Sequence, residues 1–403
     1  MTKIITDKEK INEVLTRGVE NVYPNVATTF KYLSSGKRLR FYCGFDPTAP
    51  SLHIGNAIQL NKLAQLQGLG HEIIFLVGDF TGMIGDPTDK TSTRKRLTRE
   101  EVTANAKNYQ KQASAYLEFA GENPAKVMHN SKWLDSMTFR DLVEVASNFT
   151  VGQMMVRDMF QERIKEEKPI HLHEFLYPLA QAIDSDEMDV DGEVGGNDQT
   201  FNMLCGRDLL KATKKKDKIV ITTKLLADDT GKKMGKTEGN VVNLDEEPEN
   251  MYGKVMSWPD GVIITGMELC TKMPITEVEA AKAALSGGTN PRDLKMKLAY
   301  AITELAWGEK KASAAEDYFV RTVQKKEVPK EVKSLKLGVK KLNIVELLVE
   351  TELAASKGEA RRLIEQGGIK MGGETVKDIK KEVDLSKEVM LQRGKLNFIK
   401  VSK

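Results

Sequence analysis

The chain has 403 residues, 40% of them hydrophobic and 30% charged, with a formal net charge of +3. This length favours two or three domains, and this balance suits a soluble globular protein rather than a disordered or fibrous one. No apolar run is long enough to span a membrane and the opening residues lack the apolar centre of a secretory signal. The three cysteines, Cys43, Cys205 and Cys270, are far apart and form no CxxC pair. The expectation is a reducing cytoplasm, with no disulfide framework and no structural zinc.

In chain order, Asp7 to Gly18 predicts a first helix. Leu39 to Phe45 is rich in aromatic and apolar residues and predicts a buried strand, which Pro47 and Pro50 end. A helix follows from Ile54 to Leu69, with Ile54, Ile58, Leu63 and Leu66 on its apolar period and Gly68 and Gly70 as its stop. His71 to Asp79 is continuously apolar, the kind of strand buried on both faces of a parallel sheet. Gly82 to Pro87 is a glycine-punctuated loop, and Lys90 to Arg96 is basic with no core pattern. Thr98 with Glu101 has the form of a capping box for a long helix reaching about Phe119. Thr138–Ser147 and Gly152–Glu166 also read as helices.

From His171 to Leu210 come an interrupted helix, a strand candidate at Met188–Val190, the run Gly195–Gln199, and another helix from Thr200. Ile219 to Thr222 is a late strand. Strand and helix alternating in this way predict an α/β fold with a parallel sheet. Beyond about Glu246 the pattern is helical to about Val323. Lys325 to Lys340 reads as a linker. Ile344–Leu353 is a short apolar helix. Ser356 with Glu359 caps a further helix, Gly367 and Gly368 stop it, and short strands with a tight turn at Gly372-Gly373 run on to Val401.

Charge is unevenly placed. Residues 325–403 carry 19 Lys and Arg against 12 Asp and Glu, whereas the rest carries 42 against 46. An acidic body with a basic tail suggests a polyanionic partner for the tail. On charge alone, a solvated lysine-rich surface explains it equally well.

The strand-turn-helix at Tyr42–Asn56 aims backbone N–H groups and a helix N-terminus at one point, which favours phosphate. His53, Gly55 and Asn56 sit there. Later, Lys232-Lys233-Met234-Gly235-Lys236-Thr237 sets two lysines three apart around a glycine, able to wrap a triphosphate from the other side. Either motif alone is weak, and the second alone suits a solvated loop. The pair in this order, about 180 residues apart, resembles the HIGH and KMSKS signatures of class I aminoacyl-tRNA synthetases. Tyr42–Asn56, Gly82–Pro87, Tyr177–Asp184 and Gly195–Gln199 narrow the match, and nearly the whole chain resembles the bacterial-type tyrosyl-tRNA synthetases.

That resemblance implies a Rossmann-like catalytic domain over 1–240, a helical anticodon-side domain over 241–324, a linker over 325–341 and a small α+β S4-type RNA-binding domain over 342–403. It places Tyr42 and Asp184 at the phenolic hydroxyl of bound L-tyrosine, where phenylalanine would leave both groups unpaired. Tyr177, Gln181 and Asp86 would hold the ammonium, with Thr81 and Asn130 as further pocket residues and Gln199 near the reacting carboxylate. Without the resemblance, Tyr177, Gln181 and Asp184 read better as the polar face of a surface helix. Gly44, Asp46, Thr48 and Gly55 would line the ATP side, with Gly196 and Asp198 near the ribose. Asp198 also suits a helix N-cap.

The implied chemistry is attack of the tyrosine carboxylate on the α-phosphate of ATP, with Mg²⁺ accompanying the nucleotide. Pyrophosphate leaves, and the tyrosyl group then passes to the 3′ end of tRNA-Tyr. The carboxylate is already ionised, so the protein supplies positioning and charge stabilisation. Thr48, His53, Asn56, Lys233, Lys236 and Thr237 carry that role, and Lys90 and Arg94 belong to a loop that would close over pyrophosphate. Asn56 stands where the signature often has a second histidine, and Gly235 and Thr237 replace its two serines. In the tail, Lys357, Arg361 and Arg362 lie on a helix suited to RNA backbone. The resemblance also implies a homodimer. Two rivals are a tryptophan ligase of the same fold, against which Tyr42 and Asp184 argue, and an RNA-binding protein without catalysis, against which His53, Lys233 and Lys236 argue.

Overall fold

The computed structural model describes residues 2–86, 97–227, 234, 241–324, 332–394 and 397–403. They form two compact units, one of residues 1–246 and 257–306 and the other of residues 247–256 and 307–403.

The first unit is an α/β body. Its sheet comprises β1 (Val19–Tyr23), β2 (Arg40–Phe45), β3 (Glu72–Val77), β4 (Lys126–His129), β5 (Gly192–Gly196) and β6 (Ile219–Thr223), in the order β1-β6-β5-β2-β3-β4. β2 to β6 run parallel, and β1 closes the β6 edge antiparallel. β2 and β3 are buried along almost their whole length, as their unbroken apolar sequence predicts. β1 has no counterpart among the expected strands: VENVY is half polar, and burial is incomplete along it. The strand expected at Met188–Val190 lies instead at β5. Asp189 takes a left-handed φ of 47° in a turn, and pairing begins at Gly192. The glycine-rich text GEVGG hides a strand because its burial comes from neighbours rather than its own side chains.

The helices of the body are α1 (Lys8–Thr16), α2 (Val26–Leu33), α3 (Ile54–Gly68), α4 (Thr81–Ile84), α5 (Arg99–Ala106), α6 (Tyr109–Ala113), α7 (Ser131–Leu134), α8 (Phe139–Ala146), α9 (Val151–Met155), α10 (Asp158–Lys165), α11 (Leu176–Glu187) and α12 (Thr200–Lys214). α3 buries Leu60, Leu63 and Leu66 completely, each contributing roughly 1.5–3 kcal/mol. The Thr98–Glu101 capping box forms in both directions. The long helix it was expected to start breaks after Ala106 into α5 and α6, and the one expected at Gly152–Glu166 breaks into α9 and α10.

After the sheet, α13 (Pro248–Met256) belongs to the second unit, while α14 (Ile263–Cys270), α15 (Ile275–Ser286) and most of α16 (Pro291–Trp307) belong to the first. The second unit continues with α17 (Glu309–Phe319), whose Glu316 accepts from the Tyr252 hydroxyl of α13 at 3.1 Å. Its C-terminal part holds β7 (Lys333–Lys336), β8 (Lys341–Asn343), α18 (Ile344–Glu350), α19 (Lys357–Glu365), β9 (Ile369–Met371), β10 (Glu374–Thr375), β11 (Glu382–Asp384), β12 (Val389–Arg393) and β13 (Asn397–Ser402). A five-stranded sheet runs β10-β9-β12-β13-β7, beside the pair β11-β8. Ile344, Leu347, Leu348, Ile364, Ile369, Leu391 and Val401 make its core. Ser356 caps α19 through the Glu359 N–H, but the Glu359 carboxylate reaches Ala355 N–H instead of closing a box.

Candidate active site

β2 and β5 are neighbours at the centre of the sheet, and the chain leaves them in opposite directions, β2 toward β3 and β4, β5 toward β6. The crevice beyond their carboxyl ends is where open α/β sheets bind ligands. Three parts of the chain meet there: the turn after β2, the residues after β5, and α11.

The turn is held from outside. Asn105 and the Tyr109 hydroxyl donate to the carbonyls of Pro47 and Ala49 at 2.9 and 2.7 Å, and Gln112 accepts from Leu52 N–H at 2.7 Å. His53 is the N-cap of α3. Its Nδ1 accepts from Gly55 N–H at 3.1 Å, while Asn56 Oδ1 accepts from His53 N–H at 3.0 Å, so the two close a capping box. A Cβ at position 55 would stand 2.9 Å from the His53 ring, so glycine is needed there. The Asn56 side chain thus has a local structural role. Its oxygen fixes the helix start.

On the other side of β2, the Asp46 carboxylate accepts from Thr81 Oγ1 at 2.7 Å and from the Tyr177 hydroxyl at 2.9 Å. Asn130 Nδ2 lies 3.0 Å from Thr81 Oγ1 and 3.2 Å from Asp184 Oδ2, and Trp133 Nε1 donates to Asp184 Oδ1 at 2.8 Å. Thr81, Asn130, Tyr177 and Asp184 therefore form one connected buried cluster, in which Asp46 links Tyr177 to Thr81 and Asn130 links Thr81 to Asp184. Burial pushes the Asp184 carboxyl well above the usual carboxylate range. The Trp133 and Asn130 donors oppose that, and the charges of Asp46 and Glu193 add to it. Burial likewise raises Tyr177, reinforced by Asp46 and Asp86, and Tyr42, reinforced by Glu193 and Asp184. Both phenols are neutral donors at neutral pH.

The hydroxyl of Tyr42 has Ser185 Oγ as its partner at 2.8 Å, next in sequence to Asp184. Gln181 Nε2 donates to Glu193 at 2.8 Å. Asp86 accepts from Gln199 Nε2 at 2.6 Å and lies 3.7 Å from the Arg157 guanidinium. Arg157 is buried between the rings of Phe160 and Phe201, and burial lowers its pKa against the pull of Asp86. Gly44 is exposed on β2, Gly196 ends β5, Asp198 follows in a short 3-10 turn, and Thr48 N–H donates to Asp46 O at 2.7 Å. Lys90, Arg94, Lys233, Lys236 and Thr237 lie outside the described residues.

Sequence reasoning missed Trp133, Arg157, Ser185, Glu193 and Lys218. Each is an ordinary residue within an ordinary segment, and only the fold brings them to the pocket. In the second unit, Lys357, Arg361 and Arg362 are exposed on α19, with Lys357 paired to Glu346 at 2.6 Å. Among the described residues no cluster of three or more His, Cys, Asp or Glu could hold a metal ion, and no helix is long and apolar enough to cross a membrane.

With this geometry in place, comparison with known proteins is specific. Residues 34–324 match the family model of class I tRNA synthetases (W and Y), and residues 324–401 match that of the tyrosine--tRNA ligase SYY-like C-terminal domain. The tyrosine--tRNA ligase of Thermotoga maritima is 43% identical over 99% of this chain and 98% of its own length. That of Aquifex aeolicus is 40% identical over 92% and 93%. Among solved structures, a C-terminally truncated mitochondrial tyrosyl-tRNA synthetase of Coccidioides posadasii aligns with a TM-score of 0.64 at 24% identity, covering 76% of this chain and 91% of that one. The Archaeoglobus fulgidus tyrosyl-tRNA synthetase, crystallised with L-tyrosine, aligns at 0.60 and 21%, covering 77% and 100%; both likenesses bear on the fold. The chain belongs to the tyrosine--tRNA ligases, within the class I tRNA synthetase family.

Proposed function

We infer that the protein activates L-tyrosine with ATP and transfers the tyrosyl group to tRNA-Tyr. The observation that carries the choice of amino acid is the buried pair of Tyr42 and Asp184, one on β2 and one on α11, both polar and both without solvent access. A phenolic hydroxyl between them donates to the Asp184 carboxylate and accepts from Tyr42. Phenylalanine would offer neither group a partner and would leave their remaining hydrogen-bonding capacity buried and unused. An indole would bring a bulkier ring and a donor only, with no oxygen to accept from Tyr42.

Tyr177, Gln181 and Asp86 bind the substrate ammonium, with Thr81 and Asn130 shaping the pocket and Gln199 beside the carboxylate. Asp46 holds Thr81 and Tyr177 in place while its strand presents Gly44 to the nucleotide. Gly196 and Asp198 contact the ribose. Gly55, His53 and Asn56 offer the N-terminus of α3 and their own donors to the phosphates, with Thr48 beside them. Lys233, Lys236, Thr237, Lys90 and Arg94 are proposed for the triphosphate from their sequence context. Mg²⁺ arrives with ATP as part of that substrate, held by phosphate oxygens and water. In-line attack by the tyrosine carboxylate on the α-phosphorus forms tyrosyl-adenylate as the bond to the bridging oxygen breaks and pyrophosphate departs. No side chain needs to accept a proton, and the chain contributes orientation and positive potential.

Lys357, Arg361 and Arg362 are proposed to grip the tRNA backbone. The protein is proposed to act as a homodimer in the cytoplasm. Support for the dimer comes from α8 to α10 and the residues after them, where Phe139 and Leu172 are 82% and 80% exposed and α8 buries none of its residues. Three buried free cysteines suit a reducing compartment. Tyrosine-dependent exchange of ATP with labelled pyrophosphate tests the activation step, and charging of tRNA-Tyr tests the second. Absence of exchange with tyrosine would refute the reading.

A further inference from the structure

Beneath the pocket lies a charged network that the proposed chemistry does not use. Lys218, just before β6, is fully buried and pairs with Glu193 of β5, itself 1% exposed. The Lys218 ammonium also donates to Ser185 Oγ at 2.8 Å, and Ser185 Oγ is 2.8 Å from the Tyr42 hydroxyl. The other Glu193 oxygen accepts from Gln181 at 2.8 Å. Space around the pair is closed: a Cβ at Gly206 of α12 would stand 2.5 Å from Lys218 Nζ and 2.6 Å from Ser185 Oγ.

A buried ion pair of this kind costs several kcal/mol per ion in desolvation, and apolar residues often replace such pairs without loss of stability. Its connections suggest another reason for its presence. One member reaches Tyr42, at the phenol end of the pocket, and the other reaches Gln181, at the ammonium end. An ammonium has only donors. Ser185 therefore accepts from Lys218 and keeps its single proton, which the 2.8 Å contact allows it to donate to the Tyr42 oxygen. Tyr42 then has its own proton to give, either to Glu193 beside it or to the substrate phenol. Glu193 already accepts from Lys218 and Gln181, one on each oxygen, and a bound phenol competes with it for the Tyr42 proton.

We propose that the Lys218–Glu193 pair, acting through Ser185, is a positioning device that orients the Tyr42 hydroxyl toward the substrate phenol and holds Gln181 in register with it. Neither residue touches the substrate. The proposal rests on the reading that Tyr42 recognises the phenol. Burial lowers the Lys218 pKa while Glu193 raises it most among the opposing causes, consistent with an ammonium held by its partner.

The test compares kcat/KM for tyrosine and for phenylalanine in pyrophosphate exchange. Ser185→Ala cuts the chain without changing charge. Lys218→Met with Glu193→Gln removes both charges together, so no lone ion is buried, and Tyr42→Phe is measured alongside. Thermal unfolding is followed for each. The expected result is a fall of about tenfold in the tyrosine-to-phenylalanine ratio in Ser185→Ala and in the double variant, with KM for ATP unchanged. A ratio that falls in Tyr42→Phe but stays at the wild-type value in both other variants overturns this proposal alone, and marks the network as structural. A ratio unchanged in Tyr42→Phe overturns the pocket reading beneath it.

Discussion

Replacement of Asp184 by asparagine looks conservative and, in this structure, is not. Asp184 Oδ1 accepts from the Trp133 indole and Oδ2 from the Asn130 amide, at 2.8 and 3.2 Å. An asparagine offers one oxygen and one NH₂ group, so one of these donors would face another donor. The substrate phenol would compete for the single oxygen. A proposed hydrogen bond to the tyrosine hydroxyl lost in this way, with a buried partner left unsatisfied, costs about 1–3 kcal/mol, a fall of roughly 5- to 150-fold in kcat/KM at about 1.4 kcal/mol per decade. Phenylalanine has no hydroxyl to lose, so its poor activity should change little and discrimination should fall by the same factor. Exchange kinetics with both amino acids, on protein shown to be folded by its melting transition, read this directly. Asp184→Ala should abolish measurable tyrosine binding. A folded Asp184→Asn variant with wild-type discrimination would refute the assignment.

Other consequences can be checked separately. Asn56→Ala removes the N3 side-chain acceptor of the α3 capping box and should lower stability by about 1 kcal/mol, the net worth of one such hydrogen bond, read as a shifted urea midpoint at unchanged slope. Arg361→Ala with Arg362→Ala should leave pyrophosphate exchange intact while weakening tRNA binding. It should also reduce the dependence of log K on log salt by about one per lost phosphate contact; an unchanged slope would remove α19 from the interface. His71 is buried and accepts from Leu39 N–H through Nδ1, and burial lowers its pKa from 6.5 to about 4. The folded state binds that proton less readily than the unfolded state. The stability conferred by a neutral His71 is therefore full above about pH 6.5 and is lost as pH falls toward 4, roughly 3 kcal/mol at most. His71→Gln should flatten that part of the stability profile, and denaturant melts at pH 7 and 5 would show it.

Sequence periodicity revealed the parts of the fold whose stabilisation is local. β2, α3 and β3 carry their own apolar faces and their own stops, and α18 and α19 carry clear caps. β1 and β5 are different. β1 is a half-polar edge held by its pairing to β6, and β5 is a glycine-rich strand whose packing is supplied by neighbours such as Met203, 2.8 Å from where a Cβ of Gly195 would stand. Neither has a period to read. The site divides in the same way. Motif residues clustered in the text, such as His53, Gly55 and Asn56, could be named from it. Glu193 and Lys218 are 25 residues apart and meet only because β5 pairs with β6. Trp133 reaches Asp184 across 51 residues. Local spacing contains no trace of such contacts.

The central claim is that the crevice between β2 and β5 activates tyrosine and no other aromatic amino acid. Pyrophosphate exchange measured on the full chain with tyrosine, phenylalanine and tryptophan in parallel tests it most directly. The account predicts exchange that depends on tyrosine, with the other two far weaker, followed by transfer to tRNA-Tyr. Exchange driven as well by tryptophan, or RNA binding with no exchange at all, would contradict it.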